Sequence, residues 1–221
     1  MLNHPVPDGS PQASPAIRAD LTGKVARICF DRPPVNAFTA DMFLRLHTLL
    51  RQEGESPRPV LLTGANGRFS AGFDLRQPAL GDDATAAEAR ACFAAIQRHP
   101  APVVAAVEGA AVGAGLLIAA SADILVISRS AVLGMPEVRL GIDSDAAALR
   151  RFLPDPWIRR MCLAGETFTA ADLRLDSYAG AMVCEPGAAE QAAATILDSL
   201  SGIEAAVLVR AKQRLAELFQ R

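Results

Sequence analysis

The sequence is short of several things, and each scarcity removes a class of function. One Trp and one Tyr occur in 221 residues, with aromatics at 5%, which leaves little material for an aromatic-lined pocket. The four cysteines, Cys29, Cys92, Cys162 and Cys184, are widely spaced with no CxxC pair. That excludes a zinc ribbon or dithiol motif, leaves no metal site to expect, and suits reduced thiols in a cytoplasmic protein. A net charge of −2 and a pI near 5.9 lack the basic footprint of a nucleic-acid or anionic-lipid binder. The longest apolar run, 110–122, falls short of a bilayer span, so no membrane is expected. The N-terminus has no basic stretch followed by an apolar one, so no signal peptide is expected either.

What the chain does have is a concentrated centre. Hydrophobic residues make up 51%, enough to bury the core of one domain, alone or with a small appendage. Residues 102–107 are a short apolar, β-branched run, 111–122 are apolar and small, and 124–127 are a second apolar run. This is the pattern of buried strand, helix, buried strand. The turn GAAVGAG at 109–115 has three glycines, which let the backbone turn tightly and let a ligand approach it. The helix is expected to begin near Ala114. A helix start leaves N–H groups without intrahelical partners at the positive end of the dipole, which suits an anion or a developing oxyanion; the same glycines also serve simple packing of helix on sheet. The order G-x-x-x-G-x-G is not the dinucleotide-binding fingerprint, and no acidic residue follows at a strand end about 20 positions on.

In chain order, residues 1–14 are polar with several Pro and Gly and are expected to form a disordered arm. Residues 16–30 read as a hairpin turning at Thr22-Gly23-Lys24, with Val25, Ile28 and Phe30 apolar. The prolines of DRPPVNAF end the strand, and Thr39 caps a helix over 40–52 that buries Met42, Phe43, Leu46, Leu49 and Leu50. His47 on that helix has no acidic companion at a useful spacing. A buried strand at 59–63 runs into GANGRFSAGFDL, a loop of small residues around Phe69 and Phe73 at a strand end, where open α/β sheets bind ligands. A helix near 84–98 ends at His99-Pro100, where His99 reads as a partner of the helix C-terminus. Later, a helix begins at 146, is interrupted by Pro154-Asp155-Pro156 and resumes over 157–164. Residues 188–200 and 205–219 read as amphipathic helices, the second with Val207, Leu208, Leu215, Leu218 and Phe219 on its apolar side.

DRPPVNAF, GRFSAGFDL, PVVAAVEGAAVGAGLLIAASADILV and GMPEVRLGI stand in the order and spacing of the crotonase, or enoyl-CoA hydratase/isomerase, superfamily, which the chain resembles over roughly residues 16–185. The resemblance implies an α/β fold, with a crotonase-like spiral of ββα units over 15–165. It also implies a shortened helical C-terminal region over 166–221, which in the family mediates oligomers, so a homo-trimer or hexamer is expected. The implied substrate is an acyl-CoA thioester; coenzyme A arrives as part of it, and no separate cofactor is needed. By motif, the oxyanion hole falls on the backbone N–H groups of Phe73 and Ala114, two preorganised donors for the carbonyl oxygen of an enolising thioester. Backbone around Ala37, Ala71, Gly72 and Phe73 would cradle the coenzyme, with Asp74 structural or beside it.

The acid/base positions select the reaction. Family hydratases carry two glutamates; the first position is Leu117 here, and the second is kept as Glu137 in MPEVRLGI. One carboxylate suffices to take a proton from one carbon and return it to another, which is double-bond isomerisation. Asp145 lies eight residues after Glu137, the interval between two acids in dienoyl-CoA isomerases of the family, although Asp143 and Asp145 are equally placed to cap the next helix. Three alternatives stay open. One is a hydratase using Glu137 with Asp145. Another is an aromatic acyl-CoA dehalogenase with Asp145 as nucleophile, which the scarcity of aromatics disfavours. The third is a non-catalytic subunit that binds CoA or activates a partner.

Overall fold

The computed structural model describes residues 16–55, 57–77, 83–142, 146–177 and 181–219. The expected arm, and Asp143 and Asp145, lie outside these residues. The hairpin forms as read: β1 (Ile17–Asp20) pairs antiparallel with β2 (Ala26–Phe30), and the Asp20 carboxylate accepts the Thr22 N–H and hydroxyl at the turn. β2, β3 (Val60–Gly64), β4 (Val103–Val107), β6 (Ile124–Ser128) and β9 (Met182–Cys184) then run parallel, in the order β1-β2-β3-β4-β6-β9. A parallel sheet needs cover on both faces, which is why its strands are apolar without alternation. On one face Leu62, Val103, Ala105 and Ile127 join the main core with α1 (Ala40–Glu55), α2 (Asp83–Arg98) and α3 (Ala114–Ser121). On the other, Leu61, Val104, Ala106 and Val126 pack on Ala189, Ala193 and Leu197 of α5 (Ala189–Ser201).

A second, three-stranded sheet contains β5 (Ala110–Val112), β7 (Val132–Gly134) and β8 (Thr167–Thr169). β4 passes through a short corner into β5 and then α3, while β6 passes into β7 and then the 3₁₀ helix Pro136–Leu140. The motif of long strand, short strand and helix therefore occurs twice in succession. The helix of GAAVGAG begins at Ala114 as expected, but the turn also contains β5. Its three small residues qualify as a strand only because β7 supplies parallel partners from more than twenty positions away.

Several local readings hold and others change. The Thr39 hydroxyl caps α1 by accepting the Met42 N–H at 3.3 Å, and all five expected side chains are buried. His47 does have an acidic companion, Glu88 on α2, with Nδ1 at 2.9 Å from its carboxylate. The segment after 146 forms a short 3₁₀ helix, Ala147–Arg151, and α4 (Asp155–Ala164) starts before Trp157. Pro156 lies in the first turn of α4, where its missing N–H costs nothing. In α6 (Ala205–Phe219) the expected apolar side does not face the core: Leu208 is buried, whereas Val207 and Leu215 are 41% and 54% exposed. Leu218 and Phe219 side chains lie outside the described set. A charge docks α6 instead, because Lys212 Nζ reaches Asp123 at 2.6 Å and the Ala101 carbonyl at 3.2 Å. His99 is also buried there, with Nδ1 2.9 Å from the same carbonyl. Burial pushes its pKa down, so it is not a charged partner of the helix end. Among the described residues no single helix is long and apolar enough to cross a membrane.

Candidate active site

The loop after β3 is held between two other segments by backbone pairing. On one side the Ala71 N–H donates to the Val35 carbonyl, and Phe38 pairs with Phe73 through bonds to Gly72 and Asp74. On the other, the Ser70 N–H donates to Ala110 and its carbonyl accepts from Val112. Buried polar side chains complete the frame. The Asn36 amide donates to the Ala65 and Arg68 carbonyls, and the Ser70 hydroxyl donates to the Asn36 carbonyl and accepts the Gly72 N–H. Phe73 adds apolar weight, its ring 4.9 Å from that of Phe43, which packs in turn on Phe38 and Phe93. Such ring pairs contribute about 0.5–1.5 kcal/mol each beyond area burial.

This pairing presses the loop against the start of α3. A Cβ at Gly72 would fall on the Val112 carbonyl beside the Ala114 nitrogen, and one at Gly115 would fall on the Ser70 carbonyl. The Phe73 N–H, turned away from the Phe38 bridge, and the Ala114 N–H, first of α3, have no acceptor among the described residues. Both residues line a cavity of about 740 Å³ that also contains Ala71, Leu117 and Glu137. A separate groove of about 770 Å³ lies over β1 and β2. Of its charges, Arg18 pairs with Asp31 and Arg27 with Glu190, while Asp20 accepts from Thr22 and Glu108 from the Ala189 N–H.

Glu137 reaches this cavity from the Pro136–Leu140 helix. β7 ends in a bond from the Gly113 N–H to the Gly134 carbonyl, which brings the following turn over the glycine loop. Arg139 fastens that turn to the last carbonyl of α4, that of Ala164, at 3.0 and 3.2 Å. The Glu137 carboxyl then lies against Gly113, where an added Cβ would meet it. Its Oε2 is buried with no hydrogen-bond partner among the described residues. Burial pushes its pKa above the ordinary carboxylate value, its own backbone offsetting only part of this. The result is a carboxyl with a raised pKa lining the same cavity as two N–H groups that have no acceptor among the described residues.

Phe73, Ala114, Glu137 and Ala71 thus come together, with Leu117 beside them; Ala37, Gly72 and Asp74 are not among the cavity's lining residues, and Asp145 lies outside the described residues. Ala37 is buried, and its carbonyl accepts from Arg32 at 3.0 Å. Asp74 is buried and turned to Arg32 at 2.6 Å and Arg76 at 2.9 Å; with Arg76 bonding the largest influence, its carboxyl is held well below the usual range. Leu117, at the first glutamate position, is apolar cavity wall. Sequence reasoning did not single out Gly113 as the seat of the Glu137 carboxyl, nor Gln97 and Ser121 at the cavity's far end. Among the described residues no group of three or more His, Cys, Asp or Glu is placed to hold a metal.

A family model described as enoyl-CoA hydratase/isomerase matches residues 20–180. A Mycobacterium tuberculosis protein, (7aS)-7a-methyl-1,5-dioxo-2,3,5,6,7,7a-hexahydro-1H-indene-carboxyl-CoA hydrolase, is 32% identical over 157 residues, covering 68% of this chain and 64% of that protein. The carnitinyl-CoA dehydratase of Salmonella arizonae is 31% identical over 168 residues, covering 72% of this chain and 64% of that protein. The chain therefore spans a little under two thirds of the length of these relatives. Among solved structures, Pseudomonas aeruginosa DspI matches with a TM-score of 0.83 at 27% identity, over 97% of this chain and 85% of the other. With these motifs in place along the described fold, the chain belongs to the enoyl-CoA hydratase/isomerase family.

Proposed function

We propose that this chain is an acyl-CoA enzyme that moves a carbon–carbon double bond along an acyl thioester. The observation that carries the reading is one buried carboxyl, Glu137, facing two N–H groups without acceptors, with Leu117 where a second glutamate would complete a water-handling pair. In this reading the thioester oxygen accepts hydrogen bonds from Phe73 and Ala114. Glu137 removes a proton from the carbon next to the carbonyl of a 3-enoyl thioester. The electron pair moves into the carbonyl to give a dienolate, whose negative oxygen the two donors stabilise. Glu137 returns the proton two carbons further along, and the double bond finishes conjugated with the carbonyl. No atom is gained or lost and no cofactor takes part, coenzyme A being only the carrier.

Three features support proton transfer by Glu137. Its raised pKa brings the two protonation states closer in energy near neutral pH. The apolar Leu117 side chain keeps the position opposite free of a water-binding group. Backbone donors stabilise the enolate regardless of acyl identity. Backbone at Ala37 and 71–73, with Asp74 nearby, is assigned to the coenzyme, and a homo-oligomer to the assembled form. A second reading, addition or removal of water, is favoured by the relative named carnitinyl-CoA dehydratase; it needs another acid such as Asp145. Incubation with 3-enoyl-, 2-enoyl- and 3,5-dienoyl-CoA in oxygen-18 water, read by mass spectrometry, separates the two. Isomerisation shifts the double bond without label, and labelled 3-hydroxyacyl product would establish hydration.

A further inference from the structure

The cavity extends well past the reacting groups, and its chemistry changes along its length. From Ala114 the wall follows α3 to Leu117 and then Ser121. Those eight residues, seven steps of 1.5 Å rise, cover about 10 Å. The facing wall is α2, which contributes Ala86, Ala89, Arg90, Phe93 and Ala94, the spacing of one helical face, and then Gln97. The middle of the channel is thus mainly aliphatic and aromatic, with exposed Arg90 at its side, whereas its far end is polar.

At that end the groups are only partly used. The Ser121 hydroxyl donates to the Leu117 carbonyl at 2.8 Å, and the Gln97 side-chain N–H reaches the Ser121 oxygen at a long 3.5 Å. Arg151 donates to the Ser121 backbone carbonyl at 3.1 Å and so fixes the end of α3 without entering the amide's place. Beyond the weak contact to Ser121, the Gln97 amide has no partner among the described residues, and the residue is exposed. An amide at the end of an apolar channel offers one strong donor and one strong acceptor to whatever fills it. A purely hydrocarbon chain lying against the amide would displace its water and bond neither group; an oxygen-bearing chain would restore a bond.

We propose that Gln97 is a specificity-determining residue that hydrogen-bonds a hydroxyl or keto oxygen carried near the far end of the acyl group. The proposal rests on the acyl-CoA reading of the cavity. Three backbone bonds span 3.3–3.6 Å when extended, about 1.2 Å per bond, so 10 Å corresponds to about eight bonds from the thioester carbon. The substrate class is therefore an acyl thioester of about eight carbons with a terminal oxygen function. Sites built to bond a substrate oxygen discriminate against the analogue that lacks it.

The test compares octanoyl-CoA with 8-hydroxyoctanoyl-CoA by isothermal titration calorimetry, using wild-type protein and Gln97→Leu. Saturated thioesters bind without reacting, so the result does not depend on which reaction the enzyme performs. The expected result is about fivefold or greater preference of the wild type for the hydroxylated thioester. Gln97→Leu, at an exposed helix position, abolishes that preference and retains octanoyl-CoA binding. Equal affinities in the wild type, or a preference that survives in Gln97→Leu, would overturn the proposal and leave the acyl-CoA reading standing. Failure of the wild type to bind either thioester would overturn both.

Discussion

Gly113 is where the Glu137 carboxyl meets the loop proposed to hold the oxyanion, and Gly113→Ala probes the two together. Its φ of 55° and ψ of −128° lie where an L-residue is strained, at a cost of about 1–3 kcal/mol. The new methyl also falls on the Glu137 carboxyl, and forcing a packed group aside costs about another 1–3 kcal/mol. The sum is roughly 2–6 kcal/mol of stability. Shifting the adjacent Ala114 N–H misplaces one oxyanion donor, which lowers kcat by about 10²–10³. Gly67→Ala is the control: φ is 65° and nothing lies within 4 Å of an added Cβ, so only left-handed strain of about 1–2 kcal/mol is expected, with turnover intact. The assay pairs urea unfolding with turnover of a 3-enoyl-CoA. If Gly113→Ala were no less stable than Gly67→Ala and turned over at the wild-type rate, the placement of Glu137 against Gly113 would be refuted.

Other consequences follow from single contacts. Because burial raises the Glu137 pKa, the native state keeps that proton to higher pH than the unfolded chain does. The associated stability is full below the ordinary carboxylate value and lost as pH rises through the raised one. Glu137→Gln should therefore gain melting temperature on wild type at pH 8 but not at pH 4, and an equal difference at both pH values would contradict the buried carboxyl. Asp74→Asn removes charge-assisted bonds to Arg32 and Arg76 and should cost about 2–3 kcal/mol; it should lower kcat more than it raises KM, because it loosens the backbone that presents Phe73. Wild-type melting temperature should also fall as pH drops through the depressed Asp74 pKa, and an acid melt no steeper than that of Asp74→Asn would count against this. Lys212→Met should raise hydrogen exchange in α6 about tenfold while leaving α3 protected, and unchanged α6 exchange would show that the Asp123 contact does not hold the helix.

The part of this molecule legible in its sequence is the part set by short-range pattern. The buried face of α1, its Thr39 cap and the start of α3 at Ala114 follow from periodicity and capping chemistry within one or two turns. The four motifs placed Phe73, Ala114 and Glu137, and the fold brings these three to one cavity. What was not legible depends on distant pairing. β5 exists because β7 and β8 assemble beside it, and the β5–β7 register is what lowers Glu137 onto Gly113. His47 finds Glu88 across 41 residues and Lys212 finds Asp123 across 89, separations that no local pattern encodes. The apolar side of α6 was visible as a pattern, but a hydrophobic stripe does not state what it faces, and here Val207 and Leu215 face away from the core. Nothing in the local sequence around Gln97 marks its place in the channel that α2 and α3 line together.

The central claim is that Glu137 alone carries the proton to and from a thioester enolate held at Phe73 and Ala114. The most direct measurement is hydrogen–deuterium exchange at the carbon beside the carbonyl of 3-enoyl-CoA in deuterium oxide, followed by NMR with wild-type protein and Glu137→Gln. Wild type should wash deuterium into that carbon and into the conjugated product, and Glu137→Gln should slow this by about 10²–10⁴. Exchange that proceeds at the wild-type rate in Glu137→Gln would contradict the account, because another group would then be moving the proton.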